Sequence, residues 1–502
     1  MTRHVDVRSG AYYDSVSLMQ VSRTVRGTPG VSDAMIGMGT ELNVGMIRDL
    51  DFDVPSTVTP NDLVIAIRAD DEDALAQGLA ALDQALAALK AAGRAATGAG
   101  GAAAPPRTMA AAAHDANLAF ISVPGAHAFN EAMDAVESGM SVMLFSDNVP
   151  IEQEVALKKA AAARDVLVMG PDCGTAVVSG VALGFANKVR SGSVGLVAAS
   201  GTGAQQVMCL LDAAGVGMSH CLGVGGRDLS AQVGGRSTRQ ALGALDADPD
   251  TEAVLIVSKP ADPGVLSGLE EVVANLTTPV YWATLGQGRP DLTESVEAAL
   301  RSEGVEVPNW AHWPADSASA PTVTDAAERG QKFLRGIFVG GTLADEAMLV
   351  AGARLGPIRS NIPLSPELAL PSGMASESHT IVDMGDDEMT RGRPHPMIDP
   401  TLRMERIAAE AADPTCGVLL LDLVLGYGSH PDPAGELAEA IRSAVEVAAA
   451  AGRRLPVVVA LVGVEGDPQG LSACAATLAA AGADVYLSNA AATRRAVDLL
   501  EA

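Results

Sequence analysis

Residues Val194–Gln206 read V-G-L-V-A-A-S-G-T-G-A-Q-Q, an apolar run that breaks at Ser200-Gly201-Thr202-Gly203 and continues as a helical pattern. A short apolar run bounded by glycine predicts a strand covered on both faces, and such strands belong to parallel sheets flanked by helices. The turn also has a chemical consequence. The first N–H groups of a helix lack intrahelical acceptors and sit at the positive end of the helix dipole. The loop is therefore either a ready anion site or simply a tight strand-to-helix turn. Glycine lets the backbone approach a phosphate closely, and Ser200 and Thr202 add hydroxyls.

The same pattern recurs along the chain. Strand-like runs at Leu118–Val123, Ser141–Phe145 and Val166–Met169 alternate with helical stretches at Ala128–Glu137 and Ile151–Ala163. A second series follows at Val194–Ala198, Met218–Leu222, Ala253–Val257 and Val280–Ala283. A third comprises Gly336–Val339, Thr380–Met384, Gly417–Val424, Val457–Val462 and Val485–Leu487. Gly340-Gly341-Thr342 echoes the Ser200 loop and Asp413-Pro414 echoes Asp248-Pro249, so the second and third series read as one duplicated design. Ahead of them, helices at Ser17–Val25 and Glu72–Ala92 and strands at Ala34–Met38 and Leu63–Arg68 suggest a βαββα sandwich. The expected architecture is α/β, with an ACT- or ferredoxin-like α+β domain over 1–93 and an Ala/Gly/Pro-rich linker over 94–108. A Rossmann-like domain over 109–190 and two flavodoxin-like domains over 191–330 and 331–502 complete it.

The formal charge of −27 sets the chain against nucleic acid and anionic membranes as partners, so an anionic substrate has to be held by local arginines and backbone donors. Five cysteines, an odd number with no C-x-x-C pair, argue against a disulfide framework or a structural zinc site. Met1–Ser15 lacks an apolar core, and runs such as Val457–Val462 are too short to span a bilayer, which predicts a cytoplasmic chain.

Candidate chemistry concentrates at strand ends. Asp383–Pro400 reads D-M-G-D-D-E-M-T-R-G-R-P-H-P-M-I-D-P. In it Arg391 and Arg393 suit bidentate binding of a carboxylate or phosphate, and His395 suits acid, base or neutral donor work. The grouped carboxylates Asp383, Asp386, Asp387, Glu388 and Asp399 also suit Mg²⁺, though no metal is assigned, and the other reading of this loop is a self-neutralising salt-bridged contact at a domain or subunit boundary. With Ser200, Gly201, Thr202 and Gly203, the loop holding Gly225, Gly226 and Arg227 completes a two-sided phosphate pocket. Gly340, Gly341, Thr342, Tyr427 and His430 are expected to contact substrate. Lys259, ending a strand in Ser258-Lys259-Pro260, either touches an anion or is solvated. Cys173 reads as a buried structural thiol.

Several motifs carry a resemblance. Glu131–Gly139 (E-A-x-D-A-x-E-S-G), Met169–Cys173 (M-G-P-D-C), Ser200–Thr202 (S-G-T) and Gly223–Gly226 (G-V-G-G), with the strand Phe120–Pro124, resemble the α-subunit of succinyl-CoA synthetase and other NDP-forming acyl-CoA synthetases over about 110–300. The last series is similar to the C-terminal domain of the β-subunit. With Met38–Asn43 (M-G-T-x-x-N) and Gly392–Pro400 (G-R-P-H-P-M-I-D-P), nearly the whole chain resembles the FdrA family. The chain departs from the synthetases in three ways. The CoA-phosphate loop at the start of their Rossmann domain has no counterpart. Gly286-Gln287-Gly288-Arg289-Pro290 stands where they carry the phosphorylated histidine, and Gln206 replaces their supporting glutamate. Their ATP-grasp domain is also absent.

The FdrA resemblance implies a subunit of a carbamoyltransferase complex in purine (allantoin) breakdown, acting with other subunits on carbamoyl phosphate and oxamate. It implies an oligomer, with no cofactor assigned. The alternative is an acyl-CoA synthetase-like enzyme that binds CoA and borrows an ATP-grasp partner. A non-catalytic organising subunit is the third reading.

Overall fold

The computed structural model of the 502-residue chain describes residues 2–9, 13, 15–50, 52–55, 57–96, 108–112, 115–316, 331–371, 374–390 and 394–501. The chain forms two compact units, one built on Met1–Pro105 and the other on Pro106–Thr390 and His395–Ala502. No helix among the described residues is long and apolar enough to cross a membrane.

The first unit runs β1 (Thr2–Ser9), α1 (Ser15–Arg26), β2 (Val31–Met38), α2 (Glu41–Asp49), β3 (Asp62–Ala69) and α3 (Glu72–Ala96). Its antiparallel sheet has the order β1-β3-β2. The central strand is apolar on both faces. Leu63, Ile65 and Ile67 pack with Leu18, Val21, Val25, Leu82 and Leu86 from α1 and α3. Val64 and Ala66 pack on the other side with Val44, Ile47 and Phe52. Helix α2 therefore covers a face that the expected βαββα pattern left bare, and the order is βαβαβα. The M-G-T-x-x-N motif starts this helix: Asn43 N–H donates to Thr40 Oγ1 at 3.3 Å and Asn43 Nδ2 to Met38 O at 2.8 Å.

The second unit begins with α4 (Met109–Ala112), then β4 (Leu118–Ile121), α5 (Gly125–Glu137), β5 (Ser141–Leu144), α6 (Ile151–Ala162) and β6 (Val168–Met169). Strands β4, β5 and β6 form a parallel sheet. A hairpin, β7 (Thr175–Val178) and β8 (Val181–Gly184), precedes β9 (Ser191–Ala199), α7 (Gly201–Ala213), β10 (Met218–Gly223) and α8 (Arg236–Asp246). The chain continues as β11 (Ala253–Ser258), α9 (Pro263–Val273), β12 (Val280–Thr284), α10 (Leu292–Ser302) and β13 (His312–Trp313). Next come β14 (Phe333–Phe338), α11 (Gly341–Leu355), β15 (Thr380–Asp383), α12 (Asp387–Thr390), α13 (Thr401–Ala412) and β16 (Cys416–Val424). The chain closes with α14 (Pro433–Ala450), β17 (Val457–Val462), α15 (Leu471–Ala480), β18 (Ala483–Tyr486) and α16 (Asn489–Glu501).

The two larger sheets have the orders β12-β11-β9-β10-β7-β8 and β13-β18-β17-β16-β14-β15. Four strands take the same path in each: β12-β11-β9-β10 in one and β17-β16-β14-β15 in the other. This is the topological echo expected of the duplicated design. The β7–β8 hairpin, not foreseen from sequence, pairs antiparallel with β10. Its alternation is interrupted by the Ser179-Gly180 turn, and both residues have positive φ. In each sheet the chain crosses over between the first strand of the series and the third, β9 with β11 and β14 with β16. Open α/β sheets bind ligands at the carboxyl ends of strands at such a switch point.

Candidate active site at two facing helix N-termini

Ser200 caps α7 from extended backbone, its Oγ accepting from Gly203 N–H at 2.9 Å. Gly340 caps α11 without a side chain, and its N–H and that of Val339 donate to the buried Asp422 carboxylate at 2.9–3.1 Å. The two helix starts abut: Ser200 Oγ lies 2.6 Å from Thr342 Oγ1, and both residues are buried. A Cβ on Gly340 would lie 2.7 Å from Thr202 Oγ1, and one on Gly203 would lie 2.9 Å from Thr342 Cγ2. The glycines thus permit the close approach of the two loops. The hydroxyls of Ser200 and Thr342, read from sequence as ligand donors, are bonded to each other here.

Beside this joint the strand ends bring in charge. Lys259 follows β11 and Asp383 ends β15. A Cβ on Gly341 would lie 2.7 Å from Asp383 Oδ2 and 2.9 Å from Lys259 Nζ, so both tips converge on the first residue of α11. They form no ion pair within 4 Å, and the Lys259 ammonium has no hydrogen-bond partner among the described residues. Burial opposes the charge of Lys259, but Asp345, Asp383, Asp172 and Asp386 outweigh it and hold its pKa above the ordinary lysine value. Asp345, buried in α11, is pushed up to about 6 by burial against the pull of Lys259. Burial raises Asp383 to about 7, opposed by Lys259 and by the Gly385 N–H that donates to its Oδ1 at 2.9 Å. A cation between two carboxyls that titrate near neutrality, at the positive end of a helix, can hold an anion and exchange a proton with it.

His395 faces the same loop: a Cβ on Gly385 would lie 2.6 Å from its Nε2 and 3.2 Å from Asp383 Oδ1. The Met397 N–H donates to His395 Nδ1 at 3.2 Å, which places the ring proton on Nε2. Burial lowers the imidazole to about 4, so it is neutral at pH 7 and acts as a donor. Its ring meets Phe185, centroids 5.7 Å apart.

The Gly225-Gly226 loop packs on the Pro171-Asp172 turn: a Cβ on Gly225 would lie 2.5 Å from Pro171 O, and one on Gly226 would lie 3.7 Å from Asp172 Oδ2. Arg227 uses Nη2 to donate to Val149 O at 2.7 Å and to pair with Glu154 at 3.0 Å, and its charge also acts on Asp172 and Asp387, which Lys259 reaches too. The loop is anchored by a fully buried triad in which Lys158 Nζ meets Glu154 Oε1 at 2.8 Å, Asp228 Oδ1 at 2.7 Å and Val224 O at 2.9 Å. His430 has protein partners at both ring nitrogens, Glu436 Oε1 at 3.2 Å and Asp432 N–H at 3.1 Å. Tyr427 is exposed and lines a separate cavity. Arg391 and Arg393 lie outside the described residues. Cys173 is buried, its thiol pushed up by burial.

Sequence reasoning left Lys259 between an anion contact and a solvated end, named Asp383 only as one carboxylate of the 383–400 loop, and did not single out Asp345. Ser258-Lys259-Pro260 at a strand end was the available signal; Asp345 is hidden in an ordinary helical pattern.

With this geometry in view, comparison with known proteins places the chain. It is 37% identical to the uncharacterized protein YahF of Escherichia coli (strain K12) over 484 residues, covering 94% of this chain and 93% of the relative. The chain belongs to the YahF family. Residues 337–499 match the family described as CoA-ligase, and residues 1–104 match the AllF heavy metal-associated domain. The ADP-forming succinate–CoA ligase subunit alpha of Staphylococcus aureus is 25% identical over 181 residues, 35% of this chain. That match spans 58% of the ligase subunit's length. Among solved structures, the apo dinucleotide-forming acetyl-coenzyme A synthetase 1 of Ca. Korarchaeum cryptofilum superposes with a TM-score of 0.30 at 18% identity, covering 79% of this chain and 87% of that one.

This YahF-family chain therefore joins a ferredoxin-like N-terminal domain to CoA-ligase-like α/β domains. Its first domain lacks the thiolate ligands of a heavy-metal site. Residues 1–104 contain no cysteine and a single histidine, His4. No cluster of three His, Cys, Asp or Glu among the described residues is placed to hold a metal ion. Soft metals select thiolates, and this segment has none.

Proposed function

We propose that this chain is an acyl-CoA synthetase-like enzyme working on a carbonyl group activated by phosphate, with the phosphate held at the N-terminus of α11. The observation that carries the proposal is the convergence of Lys259 Nζ and Asp383 Oδ2 on Gly341. There the helix start and an unpaired ammonium supply positive charge to a departing phosphate, where transition-state charge grows. Asp383, with a pKa of about 7, takes or returns a proton, and His395 donates through Nε2–H. Arg391 and Arg393 are our assignment for a substrate carboxylate.

The narrower form of this reading is carbamoyl transfer from carbamoyl phosphate to oxamate, in the cytoplasm, within an FdrA-type complex of several subunits. Two observations favour it over phosphohistidine-driven acyl-CoA formation. The loop Gly286-Gln287-Gly288-Arg289-Pro290 has no histidine. Gln206 is engaged with backbone at both ends of its amide, at Leu487 O (3.0 Å) and Asn489 N–H (3.1 Å), and is not free to support one. CoA belongs to the broader form only.

Thermal unfolding of the full chain with acetyl phosphate, carbamoyl phosphate, inorganic phosphate, CoA and Mg-ATP, each alone, tests both forms. A ligand at a hundredfold excess over Kd stabilises by about 2.7 kcal/mol. A larger shift with acetyl or carbamoyl phosphate than with phosphate, lost in Lys259→Met, is expected. A shift with carbamoyl phosphate only favours the narrower form, and a CoA shift the broader. No shift with any of them refutes a substrate site on this chain.

A further inference from the structure

A cavity of about 340 Å³ opens at the other end of the β9 sheet from the helix-end site. Ser191 and Met218, the first residues of β9 and β10, line it, whereas Ser200 and Lys259 lie past the carboxyl ends of β9 and β11. Nine residues of strand separate the two ends by roughly 30 Å. The cavity floor is apolar, formed by Val177, Ala182 and Val189.

Two basic residues line the cavity, one of them paired with Asp212, in a chain of net charge −27. Lys188 and Arg190 both line the cavity with exposed side chains. The Lys188 ammonium has no acidic partner within 4 Å among the described residues. Asp212 Oδ1 holds Arg190 at its backbone N–H (2.8 Å) and its Nε (3.2 Å), which orients the guanidinium and leaves its terminal nitrogens without an acceptor among the described residues. The segment is rigidly placed. Asn187 is buried and donates to Leu425 O at 3.0 Å and Asp467 at 2.8 Å, while Asp467 accepts the Lys188 N–H at 2.7 Å. The backbone that carries the two side chains is therefore fixed by buried hydrogen bonds, which lowers the ordering entropy lost on binding.

The third wall is Tyr427, 43% exposed in a chain with only five tyrosines. Its N–H donates to Ala186 O at 2.9 Å, and Gly426 and Gly428 on either side both have positive φ. A tight backbone thus holds Tyr427 on the same cavity that Arg190 lines. Metabolite sites of this kind are concave, mostly apolar and oriented by a few polar groups.

We infer that this cavity is a second ligand site, separate from the helix-end site, that takes a small planar organic anion. The ring of the ligand stacks on Tyr427, and its carboxylate or phosphate meets Arg190 and Lys188. The volume suits a single metabolite and is too small for a whole CoA.

Calorimetric titration of the full chain with AMP, benzoate and inorganic phosphate tests this, using wild type and the Arg190→Ala, Tyr427→Ala and Lys259→Met variants. AMP or benzoate is expected to bind at least about tenfold more tightly than phosphate, and whichever of the two binds tells phosphate from carboxylate recognition. Arg190→Ala and Tyr427→Ala each weaken that binding about tenfold or more, and Lys259→Met leaves it unchanged. Both cavity side chains are exposed, so these variants fold, which an unchanged unfolding temperature checks. Absence of AMP and benzoate binding, affinity no better than phosphate, indifference to the Arg190 and Tyr427 changes, or loss in Lys259→Met would each overturn the inference.

Discussion

Gly341→Ala separates binding from stability. Gly341 does not have positive φ, so alanine is accommodated by the backbone, and as a better helix former it stabilises the start of α11 by up to about 1 kcal/mol. The new methyl, however, would lie 2.7 Å from Asp383 Oδ2 and 2.9 Å from Lys259 Nζ, well inside contact distance. Lys259, on a flexible stem, gives way, while Asp383, buried and held at Oδ1 by the Gly385 N–H, keeps a tight contact with the methyl. Losing one charge-assisted hydrogen bond to a bound phosphate corresponds to about 1.5–3 kcal/mol, or roughly 10- to 150-fold in Kd. The expected result is a small net change in unfolding temperature, the helix gain being set against the tight Asp383 contact, with acetyl or carbamoyl phosphate binding at least tenfold weaker by calorimetry. Gly203→Ala provides the contrast. Its Cβ would lie 2.5 Å from Ser200 Oγ inside the packed joint, so stability falls along with binding. A Gly341→Ala protein that binds within about threefold of wild type would refute the placement of the phosphate at α11.

Two further outcomes follow from the buried charges. Lys158→Met leaves Asp228 buried without its cation and Glu154 with Arg227 alone, and should destabilise the second unit by about 3–5 kcal/mol in denaturant unfolding. The triple change Lys158→Met, Glu154→Gln, Asp228→Asn should recover much of that loss, and a near-neutral single variant would contradict the triad's role. Asp345 and Asp383, raised to about 6 and 7, are favoured neutral in the fold, so the stability they contribute is complete below their ordinary pKa and is lost as pH rises through 6 to 7. The unfolding temperature should therefore decline from pH 5 to pH 8, and Asp383→Asn, which keeps the Gly385 bond, should flatten that decline; an unchanged slope would show that Asp383 does not titrate there.

His395 shows how burial alters a sequence reading. A histidine in a Pro-rich, carboxylate-rich loop invites an acid–base role, yet its enclosed ring sits near pH 4 and stays neutral at pH 7. Arg227 shows the same for position. It follows a Gly-rich strand exit as a phosphate-binding arginine would, but Glu154 on α6 holds it. Neither environment is visible in a linear pattern, because Glu154 and Arg227 are separated by seventy-odd residues and meet only through packing of α6 on the Gly223–Asp228 turn.

By itself, the sequence determined what depends on neighbours along the chain. Apolar runs of four to nine residues mark the strands, Ser200 and Thr40 cap the helices that follow them, and glycines flag the close turns. These are set by side-chain periodicity and local hydrogen bonding, which act over a few residues. The second covering helix α2, the β7–β8 hairpin and the contents of the site were decided by tertiary structure. Lys259, Asp345 and Asp383 come from three different elements, and packing of the carboxyl ends of two separate sheets brings them together. Their shifted pKa values arise only once burial removes water from around them, so neither the cluster nor its chemistry exists until the two sheets have packed.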